Sequence, residues 1–274
     1  ILTQAVPYIK EYTGKYVVAK YGGNAMTDPV LKKNVMQDIL LLHLIGVNVI
    51  LVHGGGPDIN AMLDALKIES HFENGLRVTD KDTMDVVQMV LAGKVNKGLV
   101  AYLSALGGKA IGLCGIDGNM IQVHTKNEKL GLVGEIDHID TGVIDSALSA
   151  GFIPVISSVG IDSHGQPHNI NADTAATKIA AALNAECLVF MSNIDGVMQD
   201  PKDKDSLLHK LTVVETEALK KDGTINGGMI PKVDACTDAI KDGVKKVFII
   251  NGEVPHALLI ELLTNEGLGT MFVE

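Results

Sequence analysis

A chain of 274 residues has room for one large α/β domain or two smaller ones, and 46% hydrophobic with 20% charged content provides a core and excludes disorder. The balance of 33 acidic against 23 basic side chains, net −10, excludes nucleic acid as a general partner, so an anionic ligand must be held by a few local cations. The opening residues ILTQAVPYIKEY lack the basic start and apolar run of an export signal. The apolar stretch ILLLHLIGV (39–47) is interrupted by His43 and too short for a bilayer, so a cytoplasmic protein without membrane association is expected. The chain opens on Ile1 rather than methionine, and a few preceding residues are expected to be missing from the sequence.

In chain order, KYVVAKY (15–21) is rich in β-branched and aromatic residues and predicts a strand that ends beside Lys20 and the pair Gly22-Gly23. A helix follows, with Thr27 or Asp28 as cap, Pro29 at its first position and Gly46 at its stop. VNVILVH (47–53) reads as a strand buried on both faces, and Pro57 opens another helix to about Leu66. Further buried strands are predicted at 110–114, 152–159, 187–191 and 246–250, with helical segments between most of them. Such alternation implies an α/β fold with a parallel sheet covered on both sides. Residues 115–140, with short alternating runs and glycines, predict a hairpin insertion; MQDPKDKDS (198–206) is either a solvated turn or a lobe boundary. Cys114, Cys187 and Cys236 lie far apart without metal-ligand spacing and read as buried free thiols.

Four segments carry chemistry. In VVAKYGGNAM (17–26) a single cation stands next to backbone stripped of side chains, which suits an anion. VHGGGPDIN (52–60) exposes backbone N–H groups at a helix N-terminus, another anion-binding device, although a tight strand-to-helix turn also needs glycine. Neither cluster has the GxxxxGK[ST] or GxGxxG spacing of the common nucleotide loops. In PHNINADTAATKIAAAL (167–183), Asn171 or Asp173 could cap the helix, yet Asn169, Asn171 and Asp173 are three polar groups where a cap needs one. In TINGGMIPKVDACTDAI (224–240), Lys232 sits in the first turn of a helix, where the macrodipole disfavours a cation without a counter-charge. A bound polyanion would supply that counter-charge, and a surface lysine with its stem along the helix is the alternative.

Together these segments resemble the amino acid kinase family, most closely its members that phosphorylate N-acetyl-L-glutamate. The matching runs are KYGGNAM (20–26), VHGGGPDIN (52–60), NGLRVTD (74–80), NINADTAA (169–176), GGMIPKV (227–233) and VPHALLIELLTNEGLGTMF (254–272), in the same order and at compatible spacing. The resemblance implies a three-layer αβα sandwich around a central, mainly parallel sheet. It also implies one domain over 1–274, with an acyl-amino-acid lobe of about 1–185 and an ATP lobe of about 186–274. By the same resemblance Lys20 and Lys232 stabilise the phosphoryl group in flight, and Asp173 orients the two lysines. Two ammonium groups aimed at one point repel and need a fixed carboxylate.

Gly55 and Gly56 are implied to contact the acceptor and the transferring group, Arg77 to grip its α-carboxylate, and Asn169 to hold the acyl amino acid. A guanidinium fork suits a carboxylate better than an ammonium does. Gly22, Gly23, Ser192, Asn193, Gly196, Val197, Asn226 and Met229 are implied to cradle ATP. Ser192-Asn193 departs from the Thr-Asp of many relatives.

The implied reaction is attack of the substrate's γ-carboxylate on the γ-phosphate of ATP. A carboxylate is already ionised at pH 7 and needs no general base, so His53 is assigned a structural role at the strand end. Mg2+ is expected to arrive with ATP, and no protein metal site is expected. The N-terminal segment and the tail NEGLGTMF resemble those of arginine-inhibited hexamers built from dimers, which implies arginine as an inhibitor and a homo-oligomer. Glutamate 5-kinases, aspartokinases, carbamate kinases and UMP kinases share the fold and glycine motifs, and a non-catalytic metabolite sensor is the alternative from another class.

Overall fold

The computed structural model of the chain describes residues 2–26, 28–200 and 202–274. Its elements are, in chain order, α1 (Leu2–Tyr12), β1 (Tyr16–Tyr21), α2 (Pro29–Leu44), β2 (Asn48–His53), α3 (Gly56–Leu66), and the short pair β3 (Phe72–Glu73) and β4 (Leu76–Arg77). Next come α4 (Lys81–Gln88), a π-helical stretch (Met89–Val95), α5 (Asn96–Ala105), β5 (Ala110–Cys114), β6 (Ile121–Thr125), β7 (Gly134–Ile139) and α6 (Gly142–Ser149). Then follow β8 (Ile153–Ser157), β9 (Val159–Ile161), β10 (Pro167–Asn169), α7 (Ala172–Ala182), β11 (Cys187–Ser192) and β12 (Lys210–Thr212). The chain closes with α8 (Val213–Lys221), α9 (Met229–Lys241), β13 (Lys246–Asn251), α10 (Ala257–Leu263) and β14 (Thr270–Val273).

Two compact units result: Ile1–Val49 with Ile179–Glu274, and Ile50–Lys178. The first holds the strand order β12-β14-β13-β11-β1. Val17 pairs with Cys187 and Lys20 with Phe190 in parallel register, and β13 continues the parallel run from Cys187 opposite Lys246. β14 is antiparallel to β13, and β12 runs parallel to β14. Val247, Phe248, Ile249 and Ile250 are all buried, and successive side chains in a strand face opposite ways, so this sheet is covered on both faces. Helices α9 and α10 both pack on β13; α8 joins α9, while α1 and α2 join α10.

The second unit has the parallel order β2-β8-β5, with Leu51 opposite Val155 and Ala110 opposite Ile153. A four-stranded sheet β10-β9-β6-β7 and the hairpin β3-β4 complete it. The hairpin expected in 115–140 is β6-β7, antiparallel with a bulge at Gln122/Val123.

Local chemistry explains the helix starts. Asp28 Oδ1 accepts from Val30 N (2.7 Å) and Leu31 N (3.0 Å), with Pro29 at the first position of α2, while Thr27 lies outside the described residues. Met36, Ile39 and Leu42 line the buried side of α2, each burial stabilising by about 1.5–3 kcal/mol. All three cysteines are free and buried.

One expectation is corrected. The segment 152–159 is two strands: β8 ends at Ser157, and β9 joins the other sheet after the Ser157-Ser158 pair, where Ser158 O accepts from Ile170 N at 3.0 Å. The compact units cut the chain near residues 50 and 179, a division by packing, whereas the expected lobes of about 1–185 and 186–274 are named for their ligands. Parallel pairing sets those cuts: strands joined by a crossover are not sequence neighbours, and β1 sits beside β11.

Candidate active site

Within each unit, carboxyl ends of parallel strands carry several of the residues of interest, as in open α/β sheets generally, while Arg77 and Asn169 lie on antiparallel pairs. In the second unit β2 ends at His53, and Gly54-Gly55-Gly56 lead directly into α3. Gly55 is the N-cap and supplies no side chain, so the first N–H groups of α3 are left for a ligand. A Cβ on Gly55 would stand 2.7 Å from Leu91 Cδ2 and 3.3 Å from Val95 Cγ2, so only glycine brings the backbone this close to the π-helical stretch.

These glycines line a cavity of about 350 Å3, together with Arg77, Asn169 and the start of α7. Arg77 is buried, and its fork is aimed by neutral partners: Nη1 donates to Ser70 Oγ and Nη2 to Asn60 Oδ1, both at 2.5 Å. The guanidinium also stacks on Phe72, 4.6 Å from the ring centroid, and burial lowers its pKa. Two of its five N–H groups are used in these bonds, which leaves donors for an anion. Asn169 is tied to the arginine's own backbone: Asn169 Nδ2 donates to Thr79 Oγ1 (3.1 Å), and Thr79 Oγ1 donates to Arg77 O (2.8 Å).

Asn171, not Asp173, caps α7, accepting from Asp173 N (2.9 Å) and Thr174 N (3.1 Å). Asp173 is therefore not needed as a cap and stands half-buried in the first turn, next to the lining residue Ala172. A guanidinium and two helix N-termini around one cavity make it attractive to a carboxylate or phosphoryl group.

The first unit holds a second cavity of about 410 Å3, lined by Asn193, Gly196, Val197, Asn226 and Met229 among others. Gly196 adopts φ +149°, and a Cβ there would meet Thr270 Oγ1 at 2.5 Å and Thr270 N at 3.0 Å. That close approach lets Thr270 Oγ1 accept from Val197 N at 2.8 Å. Asn226 Nδ2 donates to Gly223 O (2.8 Å), and Asn226 O accepts from Met229 N (3.1 Å) where α9 begins without a side-chain cap. Ile194, Val197, Met198 and Met229 give this cavity apolar walls suited to a flat ring.

Lys20 lies near the carboxyl end of β1, and its ammonium lies against the backbone of Gly22: a Cβ there would be 2.7 Å from Nζ. Gly23 follows at φ +71°, a conformation that favours glycine. Lys232 occupies the first turn of α9, half-buried, behind Gly227-Gly228. Ser192 ends β11. Thus Gly55, Gly56, Arg77 and Asn169 share one cavity, and Asn193, Gly196, Val197, Asn226 and Met229 share the other. Lys20, Gly22, Gly23, Asp173, Ser192 and Lys232 line neither. Among the described residues no group of three or more His, Cys, Asp or Glu side chains is gathered for a metal ion, and no helix is long and apolar enough to cross a membrane.

Sequence reasoning missed the supports of Arg77. Asn60 closes the GGGPDIN run and was within reach as a signal; Ser70 and Phe72 belong to no motif and become visible only when β3 and β4 pair.

The model of the amino acid kinase family matches residues 15–251. An acetylglutamate kinase of Brachyspira hyodysenteriae is 53% identical over 274 residues, covering 99% of this chain and 95% of its own. N-acetylglutamate synthase from Neisseria gonorrhoeae, complexed with coenzyme A and N-acetyl-glutamate, matches 100% of this chain with TM-score 0.86 and 27% identity. The same synthase complexed with coenzyme A and L-arginine matches 99% with TM-score 0.82 and 25% identity. This chain spans 62% and 64% of those two synthase chains. By the extent of the family match and the shared α/β fold, the chain belongs to the amino acid kinase family.

Proposed function

We propose that this chain transfers the γ-phosphoryl group of ATP to the γ-carboxylate of N-acetyl-L-glutamate, an early step of arginine biosynthesis. The observation that carries the reading is the aimed guanidinium of Arg77 in one cavity with Gly55, Gly56 and Asn169. The high identity to an acetylglutamate kinase over nearly the whole chain supports the same choice against carbamate, UMP, aspartate or unacylated glutamate.

Arg77 holds the α-carboxylate as a fork, and Asn169 supplies its remaining amide donor and its carbonyl acceptor to the acetylated amine. ATP lies along the second cavity, its base among Val197, Met198 and Met229 and its phosphates toward Gly22 and Gly23. An oxygen of the γ-carboxylate forms a bond to Pγ as the bond from Pγ to the ADP oxygen breaks, and no proton moves because the nucleophile is already ionised. Lys20 and Lys232 offset charge on the equatorial oxygens, and Asp173 orients the two ammonium groups. Catalysis rests on alignment and on charges fixed in advance. Mg2+ enters as part of its ATP complex, bound chiefly by phosphate oxygens.

A third cavity, about 690 Å3 and lined by Tyr8 of α1, Leu41 of α2, Leu259 of α10, and Asn265 and Glu266 just after α10, is our candidate for arginine. Glu266 offers a carboxylate to a guanidinium, and α1, with Val6 56% exposed, offers a surface for assembly into dimers and hexamers in the cytoplasm. ADP release measured with N-acetyl-L-glutamate, glutamate, aspartate, carbamate and UMP tests the assignment. Preference for the first by two orders of magnitude in kcat/KM supports it, and preference for another acceptor overturns it.

A further inference from the structure

A polar chain runs from exposed Lys97 inward to the glycine loop. Lys97 Nζ donates to Gly112 O (2.9 Å) and to Asn96 Oδ1 (3.1 Å). Asn96, fully buried at the start of α5, bonds through Nδ2 to His53 Nε2 (3.0 Å) and to Val155 O (2.9 Å), with the more distant Leu113 O (3.3 Å) sharing a hydrogen. His53, also fully buried, bonds through Nδ1 to Gly54 O (2.8 Å).

The polarity of this chain is fixed at both ends, because an ammonium only donates and a carbonyl only accepts. Lys97 sets the Asn96 amide with its oxygen toward the ammonium, so Nδ2 faces the imidazole and Nε2 must accept. The proton therefore sits on Nδ1 and is donated to Gly54 O. Burial lowers the imidazole pKa to about 4, which keeps the ring neutral at physiological pH. Gly112 is part of the device, since a Cβ there would fall 1.9 Å from Asn96 Oδ1.

The consequence lies in the next peptide group. Gly54 C=O and Gly55 N–H share one plane, and no cis bond occurs among the described residues, so the two point in opposite directions. Pinning the carbonyl toward His53 turns the Gly55 N–H the other way. Leu91 and Val95 of the π-helical stretch press where a Gly55 side chain would be. The widened turn brings Leu91, Val95 and Asn96 to the same loop, a use typical of π-helical segments at functional sites.

We infer that His53 and Asn96 are positioning residues that lock the Gly54–Gly55 peptide so that its N–H serves as a preformed donor to the oxyanion of the transferring phosphoryl group. This rests on the reading of Gly55 as a contact to that group.

The test uses two polar replacements with equally checked melting temperatures. In His53→Asn the amide nitrogen takes the place of Nδ1 and still donates to Gly54 O. In His53→Gln the amide reaches toward Asn96 and the Gly54 bond is lost. Expected is a fall in kcat of about a hundredfold or more for His53→Gln, the size of one lost oxyanion donor, with kcat of His53→Asn at least tenfold higher and both KM values within threefold of wild type. Equal kcat in the two variants, or a loss confined to the acceptor KM, overturns the inference. Ring-nitrogen NMR of the wild-type protein needs no variant: a proton on Nδ1 supports the lock, and a proton on Nε2 overturns it even if neither variant folds. Absence of wild-type turnover with N-acetyl-L-glutamate would refute the proposed reaction, while the ring proton would still decide the lock.

Discussion

Replacing Arg77 by alanine separates substrate binding from chemistry. The guanidinium is held by Ser70 and Asn60 and offers its remaining donors to the cavity. A fork on a carboxylate makes two charge-assisted bonds of about 1.5–3 kcal/mol each. At the lower end the loss is about 3 kcal/mol, or roughly a hundredfold in affinity. Because the α-carboxylate does not react, this loss is equal in ground and transition states and appears in KM rather than kcat. The stability cost is small: Phe72 is 57% exposed, so the stacked contact contributes about 0.5–1 kcal/mol, and water replaces the bond to exposed Asn60. Steady-state ADP release at varied N-acetyl-L-glutamate, with a thermal melt alongside, gives both quantities. An acceptor KM within threefold of wild type would refute this placement of the carboxylate. Arg77→Lys should fall between the two, since it keeps the charge without the fork.

Lys20→Ala and Lys232→Ala should each lower kcat a hundredfold or more with the fold intact by circular dichroism; near-normal turnover in both would end the assignment. Gly196→Ala places a Cβ against Thr270 at a φ of +149°, which costs about 1–3 kcal/mol and should raise the ATP KM while sparing the acceptor KM. Asp38, buried in α2 and bonded to His256 Nδ1 at 2.6 Å, has its pKa raised by burial from 3.8 to about 6. The folded state thus binds the proton more tightly than the unfolded one, and stability falls as pH rises from about 4 to 6, by up to about 3 kcal/mol. Asp38→Asn should therefore raise the melting temperature at pH 7 and leave it nearly unchanged at pH 4; equal shifts at both values would contradict this. Arginine at millimolar concentration should inhibit ADP release, and Glu266→Ala should relieve that inhibition without changing turnover in its absence.

Much of the fold was legible because its strands are unbroken apolar runs that only a doubly covered sheet explains. The runs at 110–114, 187–191 and 246–250 became β5, β11 and β13 with ends moved by at most one residue. Glycine and proline marked α2 and α3 for the same local reasons seen in the structure. The pairing partners were not legible, because parallel neighbours are chosen by packing among distant segments. That is why the pairing of β1 with β11 could not be read from the sequence. In the site, Gly55 and Asn169 stand out by residue type and position, and Arg77 by the resemblance of NGLRVTD to the family. Their supports could not, since Ser70 meets Arg77 only across a two-residue hairpin and Asn96 reaches His53 from 43 positions away.

The central claim is that Lys20 and Lys232 act on one phosphoryl group while an acyl amino acid's carboxylate faces it. A crystal structure of the chain with AMP-PNP, Mg2+ and N-acetyl-L-glutamate measures this directly. Both Nζ atoms should lie within hydrogen-bonding reach, about 3.2 Å, of oxygens on the γ-phosphoryl group, with a γ-carboxylate oxygen opposite the bridging nitrogen. Either ammonium far from that group, or the acceptor bound with its α-carboxylate away from Arg77, would contradict the account.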